Sequence, residues 1–290
     1  MSSLRPDRIE RLKILNGEIV LDVAVRIWSV AKPRGTLFCL HGFAGTGQDF
    51  AFLGRMLRKA QIETIAIDMP GRGASTFLGD PSRYSLRLSQ TALNEAIKLA
   101  RGPVILAGTS WGGVIAANIA LNARQGIFGL ILVDTPMVSS EDTDHPHEDF
   151  IRDEALRQFS TAQSARIYYA ATRNLQHVAK DDLDELLTAA LMPIDGGFRM
   201  RFDPALMSTI GRRSPFNLAA SLQQAPFPIL SVLGQYSHLV TSAKEVIARD
   251  AVPAMKRLYC DFEAHPPSLS RPEHLEAICA FVTGCLEQIA

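Results

Sequence analysis

The sequence predicts an α/β protein built on a largely parallel sheet. Three features carry that prediction: short runs that are apolar throughout, helix-length segments between them, and a glycine-rich turn joining one run to the next segment. The runs cover 36–40, 64–67, 104–107, 130–133, 228–233 and 258–260. A strand with one wet face alternates polar and apolar residues. A run apolar at every position is covered on both faces, as in parallel sheets with crossover helices.

The elements can be justified in chain order. Residues 12–30 carry short apolar runs broken by Asn16-Gly17, a hairpin signal. After Pro33 the alternation begins, with helices predicted over 48–60, 86–100, 111–124, 242–249 and 271–289. Their apolar residues recur every three and four positions, the spacing of one helix face. Residues 137–224 break the rhythm. They are helical in pattern, rich in Met, Tyr and Phe, and open on the acidic stretch DTDHPHED. An insertion of that length reads as an added helical subdomain, leaving 1–136 and 225–290 as the core.

Composition narrows the function classes. The chain has 290 residues, 47% of them hydrophobic, and 30 basic residues balance 30 acidic ones. Bulk charge therefore gives no reason to expect nucleic acid or an anionic membrane as partner. The start, MSSLRPDRIE, lacks the apolar centre of a secretion signal, and the most apolar run, 127–133, is too short to span a bilayer. Cys39, Cys260, Cys279 and Cys285 form no CxxC or Cys/His pattern and read as reduced, packed thiols. A cytoplasmic protein is expected, and the sequence does not fix its oligomeric state.

The chemistry concentrates at AGTSWGG. Gly108-Thr-Ser110-Trp-Gly112 follows one apolar run and precedes a helical segment. In such a strand–turn–helix setting, glycines two before and two after the serine relieve a clash, and the hydroxyl stands at the turn's tip. There the helix dipole and backbone N–H groups favour developing negative charge. His41-Gly42-Phe43 ends an earlier run, and the N–H of Phe43 paired with that of Trp111 offers two backbone donors to an oxyanion. His41 itself reads as a structural hydrogen-bonding residue, and Asp68 in DMPGRGAS as a local turn residue without chemistry. His265, on the loop after the last run, is the best placed of seven histidines to reach back to Ser110 as a base; His274 is the weaker candidate.

Together HGF, DMPGRGAS, GTSWGG and the AHPPSLSRPE tail resemble the α/β-hydrolase superfamily, in particular its cap-bearing, esterase-like serine hydrolases. The resemblance implies an α/β-hydrolase fold with helices on both faces and a helical cap over 137–224. It also implies Ser110 as nucleophile, His265 as base and Phe43 and Trp111 as oxyanion donors. The implied reaction cleaves a carboxylic ester, lactone or related acyl bond of a small apolar or acyl substrate, with no cofactor and no metal. Tyr168, Tyr169, Phe198, Met200, Met207 and Phe216 are candidate cap linings. Arg72 stands where many relatives have histidine, with little consequence expected.

One position departs from the pattern. Relatives commonly place the catalytic acid on the loop after the run 228–233, in a Gly-x-x-Asp setting; here it reads Gly234-Gln-Tyr-Ser237. Losing the acid from a serine triad costs about 10⁴-fold in rate. One reading moves the acid to Asp134, in LILVDTP, where some superfamily members carry it. A second keeps a serine–histidine dyad with Ser237 or water orienting the imidazole. A third gives up hydrolysis for a ligand-binding receptor, lyase or cofactor-free oxygenase. The cluster Asp142, Asp144, His145, His147, Glu148 and Asp149 reads as a solvated acidic segment and not a metal site. There is no nucleotide-binding glycine motif.

Overall fold

The computed structural model describes residues 3–123, 126–139, 145–210 and 216–289. In chain order the core begins with β1 (Arg8–Asn16), β2 (Ile19–Trp28), β3 (Gly35–Leu40), α1 (Ala51–Lys59) and β4 (Ile62–Ile67). It continues with α2 (Leu86–Ile97), β5 (Val104–Thr109), α3 (Trp111–Asn122) and β6 (Ile127–Val133). The inserted segment holds α4 (His145–Leu156), β7 (Gln158–Phe159), α5 (Ala162–Thr172), α6 (Lys180–Ala190), β8 (Leu191–Ile194), β9 (Gly197–Met200) and α7 (Leu218–Leu222). The chain returns to the core as β10 (Ile229–Tyr236), α8 (Ser242–Ala251), β11 (Lys256–Ala264) and α9 (Pro272–Glu287).

The main sheet has eight strands in the order β1-β2-β4-β3-β5-β6-β10-β11. Its β1–β2 and β2–β4 pairs are antiparallel; every later pair is parallel. Period-two alternation decides how it is buried. In β3, Leu37 and Cys39 join the core on one face, while Phe38 and Leu40 join the core on the other. Leu53 and Leu57 of α1 and Ile278 and Val282 of α9 cover the first face. Leu88 and Leu93 of α2, Ile115 of α3 and Ala248 of α8 cover the second. This is the two-sided covering that the unbroken apolar runs demand.

Local details sharpen the sequence reading. Asn16 pairs with Ile19, so the hairpin loop is Gly17-Glu18, with Gly17 at φ +63°, one residue later than an Asn-Gly turn. The last strand does not end at 260 but runs to Ala264, so His265 comes directly after it. Its register against β10 shifts between Gly234 and Tyr236, with Phe262 at φ +61°, an irregularity that lets a strand bend and re-aim its C-terminal end. The inserted segment is not purely helical: β7, β9 and β8 form a small antiparallel sheet. The signal for it was Asp195-Gly196, a two-residue hairpin turn with Gly196 at φ +77°. Asp142 and Asp144, and the side chains of His145 and His147, lie outside the described residues. Cys39, Cys260 and Cys285 are free and buried, and Cys279 is free and half-buried. No helix among the described residues is long and apolar enough to cross a membrane.

Asp68, read from sequence as a local turn residue, reaches much further. Its buried carboxylate accepts from Arg26 Nε (3.0 Å) and Nη2 (2.7 Å), from Gly47 N (2.7 Å) and from Ala74 N (2.8 Å). It thereby ties β2, the loop before α1 and the DMPGRGAS turn to the end of β4. Burial opposes the charge, but the Arg26 guanidinium and these donors outweigh it and hold the carboxyl below its usual value. Asp68→Asn leaves Arg26 without its charged partner and should cost about 3–5 kcal/mol in denaturant unfolding. Because the folded pKa is depressed, the wild-type contribution is full above the unfolded carboxylate value and is lost as pH falls through the folded one.

Candidate active site

The turn between β5 and α3 leaves no room for side chains beside the serine. A Cβ on Gly108 would stand 2.3 Å from Gly112 O, and a Cβ on Gly112 would stand 2.3 Å from Leu40 O. Both contacts are to backbone, which cannot step aside. The squeeze puts Ser110 at φ +50°, ψ −118°, a conformation that L-residues seldom adopt. Its N–H donates to Val133 O (2.8 Å), and its carbonyl accepts from Gly113 N (2.9 Å) and Val114 N (3.2 Å). The strained turn is thus held from the neighbouring strand and from the first turn of α3.

The loop after β3 lies against it: a Cβ on Gly42 would be 3.8 Å from Ser110 Cβ. Phe43 is next in that loop, and Trp111 is the first residue of α3. Arg72, expected to matter little, is buried against this loop from the DMPGRGAS turn. Its Nε donates to Phe43 O (2.9 Å), its Nη1 to Pro70 O (2.9 Å), and its guanidinium lies 4.8 Å over the Phe43 ring. His41 is fully buried; its Nε2 accepts from Met69 N (2.9 Å), so its Nδ1 carries the proton and donates to Gly42 O (2.6 Å). Burial, helped by Arg72, pushes its pKa down to about 4. It is a neutral brace, in keeping with the structural role read from the sequence.

Asp134 and His265 meet. His265 Nδ1 donates to Asp134 Oδ2 at 2.7 Å across 131 residues of sequence, and both side chains are buried. Asp134 stands just past β6 at φ +44°, its N–H donating to Val232 O (2.7 Å). Its other oxygen accepts from Gly234 N (3.3 Å). Gly234 therefore serves the carboxylate at the end of the neighbouring strand. It must also be glycine, because a Cβ there would lie 2.7 Å from Ala264 O.

Ser237 is otherwise engaged. Its Oγ accepts from Leu239 N (3.2 Å) and Val240 N (2.9 Å), a local serine turn. This geometry disfavours Ser237 as the group orienting the imidazole. His238, which the sequence reading passed over, sets its ring edge-on to His265, with centroids 5.6 Å apart and planes at 79°. Burial and the neighbouring His265 lower its pKa. Adjacency to the vacant acid position was the one signal that pointed to it.

Ser110 and His265 line one cavity together with Gly42 and Phe43. Apolar walls come from Phe50, Phe52, Ile151, Leu175, Leu186 and Leu269. Of the six candidate linings in the inserted segment, Tyr169 reaches this cavity. Phe216 lines a second cavity beside Phe43 and Trp111, and Tyr168 packs on Phe159 at 5.3 Å. Asp49, Glu154 and Arg173 also line the first cavity, and sequence reasoning missed all three. No local motif marks them, because they come from separate elements.

The inserted segment also grips the histidine loop. Asn174 Nδ2 donates to Pro266 O (2.9 Å), Ala264 N donates to Asn174 Oδ1 (3.2 Å), and His177 Nε2 contacts Ser270 Oγ (2.9 Å). His274, the weaker candidate for the base, is buried with Cys260 and Glu263, their donor atoms within 4.8 Å of one another. That trio is poorly prepared for a metal. Burial keeps the Cys260 thiol protonated, and Glu263 already accepts from Ser268 N (2.9 Å), Ser268 Oγ (2.8 Å) and Arg271 Nε (3.1 Å).

Comparison with known proteins gives the family. Residues 35–257 match the alpha/beta hydrolase fold family, a span that includes Ser110 and Asp134 and stops short of His265. The chain belongs to the α/β-hydrolase fold family. It is 26% identical over 255 residues to the pimeloyl-[acyl-carrier protein] methyl ester esterase of Aeromonas salmonicida, covering 86% of this chain and 95% of that one. It is 26% identical over 148 residues to the bifunctional epoxide hydrolase 2 of Sus scrofa, covering 50% of this chain and 27% of that protein's length. A solved structure from Rickettsia typhi superposes with a TM-score of 0.82 at 20% identity, covering 96% of this chain and 99% of that one. The structural likeness shows the fold, and the family match with the two named relatives supports a hydrolase in the general sense.

If Ser237 is a turn residue, Ser237→Ala should cost about 0.5–1.5 kcal/mol in urea unfolding. It should leave turnover of any substrate within about twofold. A large loss of turnover with intact folding would instead place Ser237 at the chemistry.

Proposed function

We propose that this chain is a serine hydrolase that cleaves a carboxylic ester, lactone or related acyl bond through an acyl-enzyme. The observation that carries the reading is the 2.7 Å contact between Asp134 Oδ2 and His265 Nδ1, in a site whose cavity both His265 and Ser110 line. A buried carboxylate fixes the imidazole tautomer, with Nδ1 protonated and Nε2 left to take the Ser110 proton as Oγ attacks the acyl carbon. Asp134 then stabilises the imidazolium without itself being protonated. The backbone N–H groups of Phe43 and Trp111 receive the oxyanion, and Arg72 steadies the Phe43 residue. His265 returns the proton to the leaving group, and water repeats the sequence to free the acid.

Residues 137–224 act in this reading as the cap that roofs the cavity, which fits their contribution of Ile151, Tyr169, Leu175 and Leu186 to its lining. Asp134 takes the place of the missing acid after β10, and Gly234 N–H helps hold its charge. The bond is a carboxylic ester or a related acyl bond, in line with the methyl ester named for the Aeromonas relative.

A fluorophosphonate probe should label Ser110, and Ser110→Ala should abolish both labelling and p-nitrophenyl ester turnover. Absence of labelling in folded protein, together with ligand binding that survives Ser110→Ala, would favour a non-hydrolytic protein. Asp134→Asn should reduce kcat by about 10⁴-fold with little change in thermal stability of the fold as a whole. Activity retained in that variant would mean a serine–histidine dyad.

A further inference from the structure

The cavity that Ser110 lines also carries a charged group built by three separate elements. Asp49 comes from the 3₁₀ turn Gly47–Phe50, Glu154 from α4, and Tyr169 and Arg173 from α5 and its C-terminal boundary. Arg173 is already committed: its Nη1 lies 2.7 Å from Glu154 Oε1, and its guanidinium sits 4.6 Å over the Tyr169 ring. Asp49 is different. Oδ2 accepts from Thr46 N (3.1 Å) as part of a helix-capping pair, and Oδ1 accepts from Tyr169 OH (3.3 Å). Asp49 makes no ion pair among the described residues, although it borders the cavity. Two carboxylates thus face one guanidinium, and the surplus is an acceptor.

We infer that Asp49, steadied by Tyr169, forms a substrate subsite for a hydrogen-bond-donating, positively charged group, so that the preferred acyl chain ends in an ammonium. The inference rests on the serine-hydrolase reading and adds the substrate class. An ammonium supplies the counter-charge that the site lacks and fills the lone pairs that Thr46 and Tyr169 leave open. A carboxylate-ended chain meets two like charges with the guanidinium already occupied, and a methyl end leaves the remaining lone pairs of Asp49 unfilled.

The test uses p-nitrophenyl esters of straight acyl chains, in a series of lengths, each ending in ammonium, methyl or carboxylate. At pH 8 the best ammonium ester should exceed its methyl counterpart in kcat/KM by about tenfold or more, with the carboxylate ester lowest. Comparing esters within one protein cancels the contribution of His265, on which all of them depend. Burial raises the Asp49 pKa to about 6, against the lowering influence of Arg173, Thr46 and Tyr169; Asp68 adds to the rise. The ammonium preference should therefore fade as pH falls through about 6 and Asp49 becomes neutral. In Asp49→Asn the ammonium-to-methyl ratio should fall to near one. Should that variant fail to fold, the pH dependence of the wild-type ratio decides.

Equal kcat/KM across the three ends, a preference for carboxylate, or an ammonium preference that ignores both pH and Asp49→Asn would overturn the subsite. If folded protein turns over no ester, the hydrolase reading falls on its own. Calorimetry with an n-alkylammonium against the n-alkanol of equal length then tests the subsite directly. Tighter alkylammonium binding that weakens below pH 6 supports it, and equal or absent binding rejects it.

Discussion

Steric crowding at the junction of β5 and α3 is the constraint on which the site depends. Gly108 and Gly112 leave no volume for a Cβ, because one added at either would stand 2.3 Å from a backbone carbonyl oxygen. That closeness forces Ser110 into its positive-φ conformation and lifts it to the end of the strand, where the loop after β3 passes alongside. Backbone hydrogen bonds carry the arrangement sideways: Ser110 N bonds to Val133 O, and Asp134 N bonds to Val232 O. Serine, carboxylate and the end of β10 are thus positioned by one ladder of contacts between adjacent parallel strands.

The same ladder explains how Asp134 reaches His265. β6 neighbours β10, and β10 neighbours β11, so the ends of all three strands lie along one edge. A carboxylate just past β6 and a histidine just past β11 converge over the intervening strand end. That strand end, GQYSHLV, gives up its side-chain position to a serine turn. It contributes instead a glycine thin enough for β11 to approach and an N–H that meets Asp134. The stretch that looks deficient in sequence is, in space, a support for the acid beside it.

The inserted segment does more than line the cavity. Asn174 clasps the backbone on both sides of His265, so the position of its imidazole is tied to the segment that supplies part of the cavity lining. Arg72 plays a comparable part on the other wall, joining the Phe43 loop to the DMPGRGAS turn, which Asp68 fastens to β2. Buried charges here act as cross-braces between loops. Each is costly to desolvate and is met by partners, a guanidinium and backbone N–H donors for Asp68 and backbone carbonyls for Arg72.

The sequence by itself determined whatever depends on a few consecutive residues. Unbroken apolar runs specify strands buried on both faces, and the spacing of glycines around Ser110 specifies the tight turn. The position of His265 behind the last strand is equally legible. Period and steric exclusion are local, so they survive without knowledge of neighbours. Tertiary structure alone decided which carboxylate touches His265, since Asp134 and His265 are 131 residues apart and meet only once strand order is set. It also decided that His238 flanks the imidazole and that Asp49, Glu154 and Arg173 share the serine's cavity. Those groups come from separate strands, turns and helices. Burial raises the Asp49 pKa and lowers that of His238 only once packing has removed water from around them.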